Sequence, residues 1–393
     1  MQNTSTDKNV ERTSAPATGV ATRIYLDNAA TTPLDPEVLE AMLPYMSHHF
    51  GNPSSIYSYG RETLMAIENA RKTVAKTLGV RPSEIFFTSG GTESNNTVIA
   101  ASIRDLGCRH IITSRIEHHA VLHTVQYYGH QQAVDISYVN LMPEGSIGYE
   151  DLELQLKNTQ QKCLVTLMHA NNEIGQLLDI NRVGELCKKY NAFFHSDCVQ
   201  TVGHYPINLS PIHVHFISAA SHKFHGPKGV GILYVRESIN IKPLIFGGGQ
   251  ERNMRAGTEN VYGIVGFAKA LEVATRNYER DSAYIKDLKA YMQKKVQETI
   301  AGTSFNDNEE SLYTVLSICF PKTKKSEMLL FNLDINNICV SGGSACSSGA
   351  DAGSHVMREL NKTNNHITLR FSFSKYNTKE EIDIVVDKLK DLV

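Results

Sequence analysis

None of the seven cysteines in this 393-residue chain stands in a C-x-x-C pair, so zinc-finger and thioredoxin-like spacings are both missing. Cys108, Cys163, Cys187, Cys198, Cys319, Cys339 and Cys346 are also odd in number. No apolar run approaches the roughly 20 residues needed to cross a bilayer. Residues 1–22 lack the hydrophobic stretch of a secretory signal and mix Lys8 and Arg12 with Asp7 and Glu11. They read as a disordered polar tail, and the chain is expected to be cytoplasmic with reduced thiols. There is no excess of charge: 39 Lys and Arg against 41 Asp and Glu leave a net charge of −2. That balance makes no case for a nucleic acid or an anionic membrane as partner.

The rest is ordinary for a soluble globular protein, with 41% hydrophobic and 20% charged residues and a length that allows two domains. From about residue 84 to 235, short β-rich runs alternate with helical patterns. "EIFFTS" (84–89), "HIITSRI" (110–116), "CLVTLMHA" (163–170), "AFFHSD" (192–197), "HFISAA" (215–220) and "GVGILYVR" (229–236) read as buried strands. "TESNNTVIAASIRDL" (92–106) and "DINRVGELCKKYN" (179–191) read as helices between them. This alternation predicts an α/β fold with a mostly parallel sheet covered by helices on both faces. One or two long helices follow between Val261 and Ile300, and the remainder suits a small α+β domain.

Several reactive side chains fall at predicted strand ends, where α/β proteins bind ligands. Lys223 follows "HFISAA" and precedes a Gly/Pro-rich turn, and Asp197 ends "AFFHSD" with Gln200 three residues on. "TSGGTESN" (88–95) is a strand, a glycine turn and a helix start, which presents backbone N–H groups to an anion. His118 and His119 end a further strand. A lysine for a Schiff base, an acid to keep a pyridine nitrogen protonated, an anion-binding turn and a stacking ring are the parts a pyridoxal phosphate site requires. Competing readings are weaker. His119 and His123 are four apart and share a helical face, but no third metal ligand has a matching spacing. "GPKGVG" lacks the third glycine of a dinucleotide fingerprint. Cys198 is expected to be a packed residue and Cys339 part of a strand core.

Eight motifs occur in the order seen in cysteine desulfurases: "YLDNAATTPLDPEV", "FTSGGTESNN", "EHHAV", "MHANNEIGQ", "HSDCVQ", "SHKFHGPKGVGILYV", "GGGQERNMRAGTEN" and "SGGSACSSG". From about residue 24 onward the chain resembles the NifS/IscS branch of the class V aminotransferase family. The resemblance implies a type I pyridoxal phosphate-dependent transferase fold, with a large domain over about 34–275 and a small one from 23–33 plus 276–393. It implies that Lys223 bonds the cofactor, Asp197 pairs with its pyridine nitrogen, Gln200 bonds its phenolic oxygen, and His118 stacks on the ring and moves protons. Gly91, Thr92 and His222 would hold the phosphate, with Thr258 reaching in from the partner of a homodimer. Asn171 and Arg370 would grip the substrate carboxylate. Cys346 would accept sulfur from L-cysteine as a persulfide, leaving L-alanine, for delivery to an acceptor such as an iron–sulfur scaffold. Its small neighbours suit a thiol on a movable tether. A selenocysteine lyase or β-lyase on the same scaffold, and a non-catalytic docking protein for sulfur acceptors, are the competing functions.

Three departures from the family pattern stand out. Ala220 occupies the position of a phosphate-binding serine, and Ser221, one residue later, is the expected substitute. Phe373, Ser374 and Lys375 follow "RFS" in place of the usual apolar residue, glycine and arginine. The longer C-terminal tail that docks the scaffold in housekeeping relatives is expected to be absent.

Overall fold

The computed structural model describes residues 23–131, 133–308, 310–342, 354–360 and 366–393. The tail 1–22 and Cys346 lie outside these described residues.

The chain opens with β1 (Ile24–Tyr25), α1 (Pro36–Ser47) and α2 (Ser58–Leu78). Seven strands follow: β2 (Ile85–Thr88), β3 (His110–Thr113), β4 (Asp135–Tyr138), β5 (Cys163–Thr166), β6 (Phe193–Asp197), β7 (Phe216–Ala220) and β8 (Gly231–Val235). They are interleaved with α3 (Gly91–Arg104), α4 (His119–His130), α5 (Tyr149–Asn158) and α6 (Ile180–Lys189). These strands form one sheet in the order β2-β8-β7-β6-β5-β3-β4. All neighbours pair in parallel except β8, which runs antiparallel to both β2 and β7.

Strand alternation sends side chains to two cores. Ile112 and Val165 join Val38, Ile67, Val74 and Phe267 on one face, while Ile111 and Leu164 join Ile99, Val121 and Val125 on the other. The edge strand β4 escapes sequence reading because "DISY" is short and half-exposed, with none of the apolar continuity of the central strands. The long helical stretch is two helices, α7 (Val261–Arg276) and α8 (Tyr278–Thr299), parted at Asn277.

A second core lies beyond α7. The elements here are β9 (Ser304–Phe305), β10 (Val315–Pro321), α9 (Leu329–Ile335), β11 (Ile338–Cys339), α10 (His355–Glu359), β12 (His366–Ser372) and α11 (Lys379–Leu392). Leu316, Ile318 and Phe320 of β10 meet Leu369 and Phe371 of β12, with Leu288 and Met292 of α8 and Val385 and Leu389 of α11. Ile24 and Leu26 belong to this core too, because β1 pairs in parallel with β11.

Residues 26–35 then cross from this core to the large one, bonded on both sides. Toward β12, Ser372 N–H donates to Leu26 O (2.7 Å), Asn28 Nδ2 to Ser372 O (2.8 Å) and Ala29 N–H to Ser372 Oγ (2.8 Å). Toward the turn after β7, Thr32 N–H donates to His222 O (2.9 Å) and His225 N–H to Thr32 Oγ1 (2.8 Å). Lys375, one of the departures from the family pattern, closes an ion pair with Asp35 at the start of α1 (2.5 Å).

The loop between β8 and α7 holds three consecutive non-glycine residues in the left-handed region: Glu251 (φ 43°), Arg252 (φ 57°) and Asn253 (φ 67°). Each such residue costs roughly 1–2 kcal/mol. A buried ion pair holds the run in place. Arg71 of α2, only 2% exposed, donates Nη1 to Glu251 Oε2 (2.7 Å) and Nη2 to Oε1 (2.9 Å), and Phe87 N–H donates to the same carboxylate (2.8 Å). Removing one member leaves the other charge buried and alone, a loss of about 3–5 kcal/mol. Glu251→Ala should therefore lower the denaturant midpoint markedly in equilibrium unfolding, whereas Arg252→Ala, which removes an exposed pair with Glu68, should shift it by less than about 1 kcal/mol.

Candidate active site

At the carboxyl ends of the central strands lies a cavity of about 270 Å³. Its wall includes Gly91, Thr92, His118, Asp197, Gln200, His222, Lys223 and Arg370. Eight of the side chains and glycines named from the sequence thus converge from β2–α3, β3–α4, β6, β7 and β12.

Lys223 sits in the short turn that ends β7, and its Nζ donates to Ala29 O (2.8 Å) and Ala30 O (2.7 Å) of the crossing segment. Gln200 Nε2 donates to the same Ala29 carbonyl (3.1 Å). Asp197, the last residue of β6, has a carboxylate fixed at both oxygens: Oδ1 accepts from Val199 N–H (3.0 Å) and Oδ2 from Asn95 Nδ2 (2.6 Å).

Helix α3 begins at Gly91 and no side chain caps it, so the N–H groups of its first turn have no capping oxygen beside the cavity. Gly91 is required there, since a Cβ would come within 2.6 Å of Val199 Cγ2. His222 lines the same region with Nδ1 near Thr31 Oγ1 (3.2 Å). Burial, reinforced by the charge of Lys223, pushes its pKa down to about 4, so near neutral pH it faces an anion as an uncharged ring. Burial also lowers the His118 pKa; the Asp197 carboxylate opposes this and Lys223 adds to it. His118 Nδ1 accepts from Ala120 N–H (3.1 Å), which leaves the proton of the neutral ring on Nε2.

Two expectations are placed differently. Ser221 does not line the cavity: it is fully buried and its hydroxyl donates to Pro227 O (2.6 Å), so the methyl of Ala220 stands at the wall and, among the described residues, no serine lines it. Asn171 is 1% exposed and its side chain is already committed, within its own loop and to the β3–α4 connection. Its Nδ2 donates to Ile116 O (2.9 Å), and its Oδ1 accepts from Glu173 N–H (2.8 Å) and Ile174 N–H (3.1 Å). The neighbouring Asn172 lines the cavity instead, and its carbonyl accepts from Arg370 Nη1 (2.8 Å). Thr258 is exposed on the surface of the single chain, away from the cavity wall.

Among the other sequence candidates, Cys198 is wholly buried and its thiol pKa is pushed up to about 12, which makes it inert packing. Cys339 lies in β11, partly buried. His119 and His123 stack face to face at 4.7 Å.

Sequence reading missed Asn95, Asp27, Glu173 and His355. Asn95 lies one helical turn beyond Gly91 on the same face of α3, a spacing that flags it in retrospect. Asp27 holds Arg370 through Nη2 (2.7 Å), and nothing local announces that pairing across the chain. Glu173 accepts from the hydroxyl of Ser354, the residue that caps α10, and His355 lines the cavity beside it.

The fold and this wall together define a type I pyridoxal phosphate-dependent enzyme. The residues fit that cofactor on structural grounds. There is an amine at a strand end, a fixed carboxylate facing the same space and an uncapped helix start for a phosphate. Buried Asn95 Oδ1 and Arg370 Nε lack a hydrogen-bond partner among the described residues.

The comparisons with known proteins agree. The aminotransferase class-V family matches residues 24–385. The chain is 42% identical over 375 residues to the cysteine desulfurase IscS of Dictyoglomus turgidum, covering 94% of each. It is 41% identical to that of Methanosarcina thermophila, over 94% of this chain and 92% of the relative. Among solved structures, a NifS-like protein superposes with a TM-score of 0.86 at 38% identity, covering 94% of this chain and 99% of the other. SspA in complex with cysteine superposes with a TM-score of 0.78 at 32% identity, over 91% and 100%. The chain belongs to the aminotransferase class-V family and to its NifS/IscS-like cysteine desulfurase branch.

The 2.6 Å bond from Asn95 to Asp197 should carry measurable binding energy, because a hydrogen bond to a charged group is worth about 1.5–3 kcal/mol. Titration of apoprotein with pyridoxal phosphate, followed by visible absorbance, should show Asn95→Ala binding at least about tenfold more weakly. Ser221→Ala should leave cofactor affinity within about twofold, since its hydroxyl faces Pro227.

Proposed function

We propose that the chain is a pyridoxal phosphate-dependent cysteine desulfurase, in which L-cysteine and the Cys346 thiol give L-alanine and a Cys346 persulfide. One observation carries the reading: both ends of the segment that holds Cys346 are bonded to residues of the cavity wall. On one side Ser341 exchanges backbone hydrogen bonds with Arg370 (2.7 and 3.2 Å). On the other, Ser354 is bonded to Glu173 of the wall. Cys346 lies five positions beyond Ser341, a reach of at most about 18 Å.

Within this reading each group has a defined task. When bound, pyridoxal phosphate supplies the electron sink that loosens bonds around the substrate's α-carbon. Lys223 offers the amine that holds the cofactor, and Ala29 and Ala30 fix where that amine points. Asp197 holds a proton on the pyridine nitrogen by charge, with Asn95 and Val199 preventing its rotation. Arg370, already tied by Asp27 and Asn172, has Nε left for the substrate carboxylate. His118 is buried and neutral, and carries its proton on Nε2. The attacking Cys346 thiolate forms the new S–S bond as the substrate's C–S bond breaks, and a second thiol must then take the sulfur onward.

A homodimer fits the exposed surface. Leu43, Met46, Phe50, Ile56 and Tyr57 are all at least 49% exposed at the end of α1 and the start of α2, and Phe246 is 72% exposed on the loop that leads to Thr258. Gln250 of that loop reaches Ser54 (3.5 Å), so the two regions adjoin. Isolated apolar residues are normal on a surface, but a continuous patch is not.

Purified protein should form alanine from cysteine in the presence of dithiothreitol. Cys346→Ala should retain the cofactor absorbance yet lose alanine formation by at least about a hundredfold. Equal rates for the two proteins would remove Cys346 from the chemistry. Ile56→Glu should convert a dimer to monomer in sedimentation velocity, and a wild type that sediments as a monomer would refute the dimer.

A further inference from the structure

The second core has its own unpartnered surface, at helix α9. The helix buries Leu329 and Leu333 against the core. On the other side it presents Leu330 (42% exposed), Phe331 (56%) and Ile335 (62%), with Met328 (55%) of the preceding turn. Just before them Lys322, Lys324 and Lys325 are exposed and carry no ion pair among the described residues. Glu327 and Asp334 offset part of this charge, but the lysine group stands together at one end.

Position gives the patch its meaning. A Cβ on Gly342 would meet Leu330 Cδ2 at 3.2 Å, so the patch touches the last described residue before the Cys346 segment. Cys346 lies four positions beyond Gly342, a span of at most about 14 Å. A protein seated on α9 therefore has the sulfur within reach.

We propose that the face running from Lys322 to Ile335 is the docking surface for the protein that takes sulfur from Cys346, and that this acceptor presents an acidic surface with an apolar projection next to its receiving thiol. The proposal rests on the sulfur-transfer reading above. Charge complementarity selects the occupant. A second copy of this chain would bring the same lysines against one another across a two-fold axis. The chain's own residues 1–22 mix Asp7 and Glu11 with Lys8 and Arg12 and contain few large apolar side chains, so they supply neither acid nor anchor.

The test uses full-length holoenzyme loaded with radioactive cysteine sulfur. Two synthetic amphipathic peptides serve as probes, each with one terminal cysteine and Leu/Phe on one face, differing only in Glu or Lys on the other. Wild type should pass sulfur to the acidic peptide at least about tenfold faster than to the basic one. Phe331→Ser with Ile335→Ser, and separately Lys324→Glu with Lys325→Glu, should each reduce that transfer by about tenfold. Alanine formation with dithiothreitol should stay within about twofold in both, which also shows that the variants are folded.

Equal use of the two peptides by wild type, or unchanged transfer by the variants, overturns the docking surface and leaves the desulfurase reading standing. No alanine with dithiothreitol in wild type sinks the desulfurase reading itself. Faster transfer after deletion of residues 1–22 would assign the patch to the tail. Co-sedimentation with phosphatidylserine vesicles that Phe331→Ser abolishes, with peptide transfer unchanged, would assign it to a membrane. Either result overturns the proposal.

Discussion

The active site depends on the ten residues that cross between the two cores. Leu26 to Asp35 is neither strand nor helix over most of its length, yet nearly every one of its polar backbone positions has a fixed partner. On one side it is stitched to Ser372, on the other to His222 and His225. Because Ala29 and Ala30 then accept from Lys223 Nζ, and Asp27 from Arg370, one segment sets the separation between the Lys223 amine and the Arg370 guanidinium. A shift of either core relative to the other is felt at both groups. The Lys375–Asp35 pair closes the far end of the same segment, so the departure from the family pattern at residue 375 keeps a cation where a cation is needed.

Burial then decides which groups are charged. His222 and His118 are both pushed toward the neutral form, so the positive charge in the cavity belongs to Lys223, to Arg370 and to the start of α3 rather than to imidazoles. Beneath His118, Glu117 is 1% exposed and its pKa is pushed up to about 8 by burial, although hydrogen bonds from Ser114 and the Met168 backbone pull against it. The wall is thus electrically simple, although it contains many titratable side chains.

The central strands were legible because β-branched and aromatic runs such as "IFF" and "FFHSD" are continuous and sit between turn residues. The reactive residues at their ends were legible because strand ends are where α/β sheets expose side chains. β4 was missed because its side chains are half-wet, and α9 and α10 because helices of seven and five residues show too little periodicity. Adjacent residues in a turn point in different directions, and no pattern in "HANNEIG" says that Asn171 turns inward to its loop while Asn172 reaches the cavity. The same holds for Ser221 beside Ala220. Asp27 and Arg370 are 343 residues apart, and that kind of pairing belongs to the tertiary fold alone.

The long separations also impose a schedule. Lys223, Asp197, Gln200 and the start of α3 all belong to the part of the chain that is synthesised first, and they surround one sheet whose core needs nothing from β12. Asn28 waits 344 residues for Ser372, and Asp27 for Arg370. Contacts of that separation form late, since loop closure must precede them. During synthesis the half of the cavity that suits a cofactor is therefore built well before the half that suits a substrate. An interrupted chain would hold the reactive lysine with no guanidinium to select what it meets.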